Sequence, residues 1–207
     1  MAEKAKIILS KDEIEAVSDR SFFETKIRIT QKIYHAFANC VSSANEQAVF
    51  EGIDFPTGTD STTGKISKGE NHLGLPYILL DFPRYFKGNE SLAIRTMFWW
   101  GKFISCALFV AGKPDNRLQH ALLRHHDELS KKRTWICVHD SPWLHHFGKD
   151  NYRMMRHFSG KELTSIMHAA GFIKVARKIP VSGINQMEGF ILESFLLYAR
   201  LLRHTAP

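Results

Sequence analysis

Leu75-Pro76-Tyr77-Ile78-Leu79-Leu80-Asp81-Phe82-Pro83 is a short apolar run closed by proline, followed by Ser91 to Trp100 and Phe103 to Ala111. Runs of this length, rich in β-branched and aromatic residues and bounded by turn formers, read as strands. Three in succession establish a sheet. A Gly101-Lys102 turn between the last two suits type II′ and sets Trp100 opposite Phe103. Moving the turn to Trp100-Gly101 changes the partners but keeps the faces. One face is then expected to carry Arg95, Met97, Trp99, Ile104, Cys106, Leu108 and Val110, and the other Ile94, Thr96, Phe98, Phe103, Ser105, Ala107 and Phe109. Both are largely apolar, so both are expected to be covered.

Working outward, Thr134 to His139 reads as a fourth strand and Phe172 to Val181 as a fifth. Ser10-Lys11-Asp12-Glu13, Ser21-Phe22-Phe23-Glu24 and Ser159-Gly160-Lys161-Glu162 each match the capping box that opens a helix. The first predicts a short helix, about 11–18, and the second a long amphipathic one, about 22–43, with Phe23, Ile27, Thr30, Tyr34, Phe37 and Val41 on one buried stripe. Pro114 to Ser130 reads as a helix started by Pro114-Asp115, with Leu118, Leu122, His125 and Leu129 on its apolar side. Leu163 to Ala170 is helical, with Gly171 as its C-cap. Met187, Phe190, Ile191, Phe195, Tyr198, Leu201 and Leu202 form a wide stripe on a final helix.

The fold class is therefore α+β: one domain, 1–207, with a five-stranded, mainly antiparallel sheet at about 76–82, 92–100, 103–111, 134–139 and 172–180, flanked by N- and C-terminal helices. The fifth strand follows a helix, which leaves it free to pair parallel. Residues 54–70 read as one long loop, functional or mobile. Within it, Gly58 to Ile66 is not a P-loop: five residues separate Gly58 from Gly64 where the motif has four, and Ile66 stands where the magnesium-binding hydroxyl belongs. The unit Ser159–Ala176 resembles the C-terminal part of many methyltransferase domains. Those enzymes carry a glycine-rich cofactor loop after an early strand, which residues 1–135 lack, so no function is carried over.

The chain has 207 residues, 44% apolar and 24% charged, an ordinary globular balance. No apolar run reaches the roughly 18 residues of a membrane helix. Ile7-Ile8-Leu9 is too short for a signal peptide, so a cytoplasmic protein with no membrane association is expected. Cys40, Cys106 and Cys137 read as buried thiols. Residues 1–90 hold 11 Lys+Arg against 13 Asp+Glu, and residues 91–207 hold 17 against 8. The basic second part suits a small anionic ligand or an acidic partner. Nucleic acid is disfavoured, because most of the hairpin's aromatic surface is expected to be buried.

Two surfaces are candidates for chemistry. Arg84, Tyr85, Arg95, Trp99 and Trp100 combine cations with aromatic walls suited to a small anionic or aromatic ligand. The structural alternative for Arg95, on an apolar face, is an ion pair with Asp81. The second surface is His139, Asp140, His145 and His146, directly after a strand, which would supply ligands for zinc, iron or manganese only if at least three converge. His125, on its helix's apolar stripe, reads as a core residue bonded to a backbone carbonyl. Whether the chain is an enzyme is left open. The leading expectation is a non-enzymatic ligand- or partner-binding module. The alternatives are a metal-dependent enzyme using the histidine cluster and a homodimer or scaffold built through the C-terminal helix.

Overall fold

A computed structural model describes residues 7–112 and 116–203. The chain falls into two compact units, residues 1–35 and 36–207.

In the first unit, α1 (Lys11–Ser18) opens on the expected capping box: Ser10 Oγ accepts from the Glu13 N–H, and the Glu13 carboxylate accepts from the Ser10 N–H at 2.7 Å. The Ser21 box does not form. Asp19 caps α2 (Arg20–Glu46) instead, accepting from the Phe22 N–H at 2.9 Å and from the Ser21 hydroxyl at 2.9 Å. Its carboxylate takes both donors at once, and these bonds hold its pKa below the ordinary value. The stripe of α2 is buried from Ile33 onward through Phe37, Cys40 and Ala44. The expectation that it is buried along its whole length fails at Phe23 and Ile27, which are 44% and 58% exposed.

The second unit is built on a sheet of seven strands rather than five: β1 (Lys65–His72), β2 (Leu75–Lys87), β3 (Glu90–Trp99), β4 (Phe103–Ala111), β5 (Trp135–Cys137), β6 (Tyr152–Met154) and β7 (Phe172–Pro180). Their order is β1-β2-β3-β4-β7-β5-β6. β1 occupies the end of the stretch read as loop. Lys-Ile-Ser-Lys-Gly-Glu-Asn-His has no apolar alternation because it is an edge strand, where charge and glycine discourage pairing with other chains. β6, at three residues, is too short to leave a periodic signal. β7 does not pair parallel: it is inserted between β4 and β5 and runs antiparallel to both.

The hairpin register corrects the expected faces. Trp99 pairs with Phe103, so the connection is three residues, Trp100-Gly101-Lys102, closed by the Lys102 N–H to the Trp99 carbonyl at 3.1 Å with Gly101 at φ 67°. Side chains alternate with a period of two, so an odd connection in place of an even one exchanges the faces of one strand relative to the other. Arg95, Met97 and Trp99 therefore share a face with Phe103, Ser105, Ala107 and Phe109.

The opposite face, with Ile94, Thr96, Phe98 and Cys106, lies under helices. Asn116–Arg124 and His126–Lys131 form α3 and α4, broken at His125; the expected start at Pro114-Asp115 lies outside the described residues. His126, the neighbour of His125, meets the backbone carbonyl of Met155 at 3.1 Å. α5 (Gly160–Ala170) has its capping box, and Gly171 adopts the left-handed C-cap at φ 66°. α6 (Met187–Arg203) buries its stripe completely: Tyr198 donates to the Cys106 carbonyl at 2.8 Å, and the Phe195 ring lies 5.8 Å from Phe82. Leu196 is the one large exposed apolar side chain of this helix among the described residues. All three cysteines are free and buried, and burial pushes Cys40 and Cys106 up to about 12, so they are unreactive thiols. No helix among the described residues is long and apolar enough to cross a membrane.

Candidate ligand-binding face

The face of the sheet away from α6 is covered by a segment without regular structure, 138–151. Asp81 on β2 and Arg95 on β3 are direct cross-strand partners on this face, and the guanidinium grips the carboxylate with two bonds, Nε to Oδ1 at 2.7 Å and Nη2 to Oδ2 at 2.8 Å. Their side chains are 10% and 18% exposed, so each is the compensation the other needs to be buried. The third arm of Arg95 approaches His145 Nε2 at 3.4 Å, and the Trp143 ring lies 5.8 Å from its guanidinium carbon.

Two lysines of β7 come to the same face. The register Ala107↔Ala176 aligns Lys174 and Lys178 with it. Lys174 is 3% exposed, and its ammonium donates to the carbonyls of Pro142 at 2.6 Å and Leu144 at 2.7 Å, pinning the covering segment to the sheet. Burial lowers its pKa to about 8; Arg95 adds to the shift and Cys137 opposes it. Lys178 is an exposed residue whose ammonium nonetheless sits among three rings, 4.5 Å from the centre of Phe147, 5.2 Å from Trp135 and 5.3 Å from Phe103, and this partial desolvation lowers its pKa. Neither amine has a carboxylate within ion-pair distance among the described residues.

Around these cations the face is aromatic. Phe147 stacks on Tyr152 with centroids 4.5 Å apart, and Trp143 meets Phe109 edge-on at 5.5 Å. His145 is held neutral: burial drives its pKa well below the ordinary value, and Lys174 and Arg95 add to that. His72 on β1 lies 5.6 Å from His145 and 4.8 Å from Trp99. The Trp99 indole N–H and His72 Nε2 are buried without a hydrogen-bond partner. The gap enclosed by Arg95, Ala107, Phe109, Trp143, His145 and Lys174 has room for about one water molecule.

The five residues of the first candidate surface divide. Arg95 and Trp99 share the covered face, two alternations apart on β3. Arg84 is aligned with Ala93 on that face but is tied to Asp60 at 3.2 Å, whose carboxyl is held down to about 2, against its own burial, by bonds from Thr63, Thr62 and Gly64. Tyr85 alternates to the other side, and the Trp100 ring lies against Phe98 at 5.3 Å, also away from Arg95.

The histidine cluster does not converge. His139 Nδ1 accepts from the Ser141 N–H at 2.9 Å, His146 Nδ1 accepts from the Gly148 N–H at 3.2 Å, and His145 leans on Arg95. Asp140 lines a separate, open depression beside Ser165 and Ala169 of α5. Among the described residues no group of three or more His, Cys, Asp or Glu side chains is placed to hold a metal ion. Short-range turn bonds are what these rings and their neighbours make, as expected for a loop organised by its own backbone.

Lys174, Lys178, Phe147 and His72 are absent from the two candidate surfaces read from sequence. In Phe172–Pro180 cations stand at both parities, Lys174 and Lys178 on one side and Arg177 on the other, so alternation alone does not tell which are buried. No protein-family model matches the chain, and neither a curated protein nor a solved structure is significantly similar to it.

Proposed function

We propose that this chain is a binding module for a small anion bearing an aromatic or planar apolar group, received on the Arg95 face of the sheet. The observation that carries the reading is the buried amine of Lys174 on β7, with the exposed amine of Lys178 on the same side of the strand: among the described residues neither has a carboxylate partner, while Asp81 is already committed to Arg95. A buried ammonium without a counter-ion is costly, and a bound anion would compensate it. Trp143 and Phe109 supply apolar walls, and the orphan indole N–H of Trp99 is a further donor along the same sheet face. Because the gap is closed, a ligand enters by lifting Trp143, which is 52% exposed, off Arg95. Binding is favoured over catalysis because Lys174 gives two of its three N–H donors to carbonyls and His145 faces a cation, leaving neither poised as a base beside a reacting atom.

The test is titration with a panel of aromatic carboxylates and mononucleotides, read by calorimetry and tryptophan emission. Saturable binding is expected, weakened ~10-fold or more by Lys174→Met, as loss of a charged contact implies. No binding across the panel, or binding indifferent to Lys178→Met and Lys174→Met, overturns the reading.

A further inference from the structure

The apolar surface left bare by this fold is concentrated in the first unit. α1 buries none of its residues, and Ile14 and Val17, one turn apart, are 52% and 62% exposed. Ile7 and Ile8, just before it, are 90% and 86% exposed, and Phe22, in the first turn of α2, is 54% exposed. With Phe23 and Ile27, these residues are a denser set of exposed large apolar side chains than the rest of the described chain carries, and apolar exposure concentrated in this way marks an interface.

Charge indicates what covers it. α1 and its C-cap carry Asp12, Glu13, Glu15 and Asp19 against Lys11. The first half of α2 carries Arg20, Lys26, Arg28 and Lys32 against Glu24. An acidic apolar helix and a basic apolar helix in the same chain complement each other across a two-fold axis, where every contact is made twice. We propose that this surface is the homodimer interface, α1 of one copy packing on residues 20–32 of its partner and the reverse. Pairing the exposed side chains buries on the order of 1,000 Å² in total, about the threshold of a specific interface. A membrane surface is the poorer occupant, because helices that lie on anionic lipid surround their apolar side with Lys and Arg, and α1 is acidic. The proposal is independent of the ligand reading, which rests on residues of the second unit.

Sedimentation velocity of the full chain from about 1 to 100 µM is expected to show a monomer–dimer equilibrium. Phe23→Glu with Ile27→Glu is expected to give monomer throughout, with an unchanged near-UV spectrum. Asp12→Lys with Glu15→Lys, and separately Arg28→Glu with Lys32→Glu, are each expected to weaken dimerisation ~100-fold through like-charge contacts. Mixing these two charge-reversed proteins restores a dimer, since each then meets its complement. A wild-type monomer at 100 µM, a dimer that survives Phe23→Glu with Ile27→Glu, or charge-reversed proteins that do not rescue each other would overturn the proposal. So would a monomeric wild type that binds anionic vesicles through the same phenylalanine.

Discussion

Lys174 is the residue on which the covered face depends. Its ammonium joins β7 to two carbonyls of the 138–151 segment, and its burial depresses its pKa from 10.5 to about 8. An unfolded chain therefore binds more protons than the folded one between pH 8 and 10.5, and the cost of burying the charge falls as pH rises through that window. The stability of the wild type relative to Lys174→Met is expected to rise by about 2 kcal/mol between pH 7 and pH 9.5. Urea denaturation at the two pH values measures it, and a difference that does not change with pH would mean that the amine is not desolvated. Asp81 and Arg95 are a different case. Their pairing was readable in sequence, because an arginine on an apolar strand needs a carboxylate and Asp81 stood nearest by topology.

At the scale of elements, the hairpin connection decides what shares a face with Arg95. Gly101, at φ 67°, permits the three-residue turn that pairs Trp99 with Phe103. A Cβ there meets nothing within 4 Å, so Gly101→Ala tests backbone strain alone. It is expected to cost about 1 kcal/mol in chemical denaturation, with the fold retained. Five of the seven strands and most of the helices were legible as elements because each has a strong local signal: a capping box at Ser10 and Ser159, an apolar run at Leu75 or Phe103. The length of a turn has no such signal. Trp100-Gly101-Lys102 satisfies the composition of an even turn and an odd one equally, and the choice between them is made by packing across the sheet.

At the scale of the molecule, acid acts on buried imidazoles. His145 and His72 are both held neutral by burial, with neighbouring cations adding to the effect. Their folded pKa values lie below the unfolded value, so the unfolded chain takes up more protons as pH falls through 6.5, and stability is lost in that direction. Thermal unfolding is expected to show a loss of up to about 2 kcal/mol for His145 between pH 7 and pH 5, flattened in His145→Gln. Because His145 packs between Arg95 and the covering segment, Trp143 emission is expected to shift over the same range. A wild type and a His145→Gln protein with the same pH profile would remove His145 as the cause.

Local chemistry determined much of this protein without help from tertiary structure. The α+β class, the caps at Ser10 and Ser159, the C-cap at Gly171, the buried thiols and the Asp81–Arg95 pair all follow from propensity, periodicity and the cost of an unpaired charge. Tertiary structure alone decided the rest: β1 at the sheet edge, β7 between β4 and β5, the exposure of Phe22 and Ile14, and the arrival of Lys174 beside Arg95. Those outcomes depend on which surfaces meet. A lysine on a strand reads the same whether its face is covered or open, and an apolar stripe reads the same whether a sheet or a second copy of the chain lies against it.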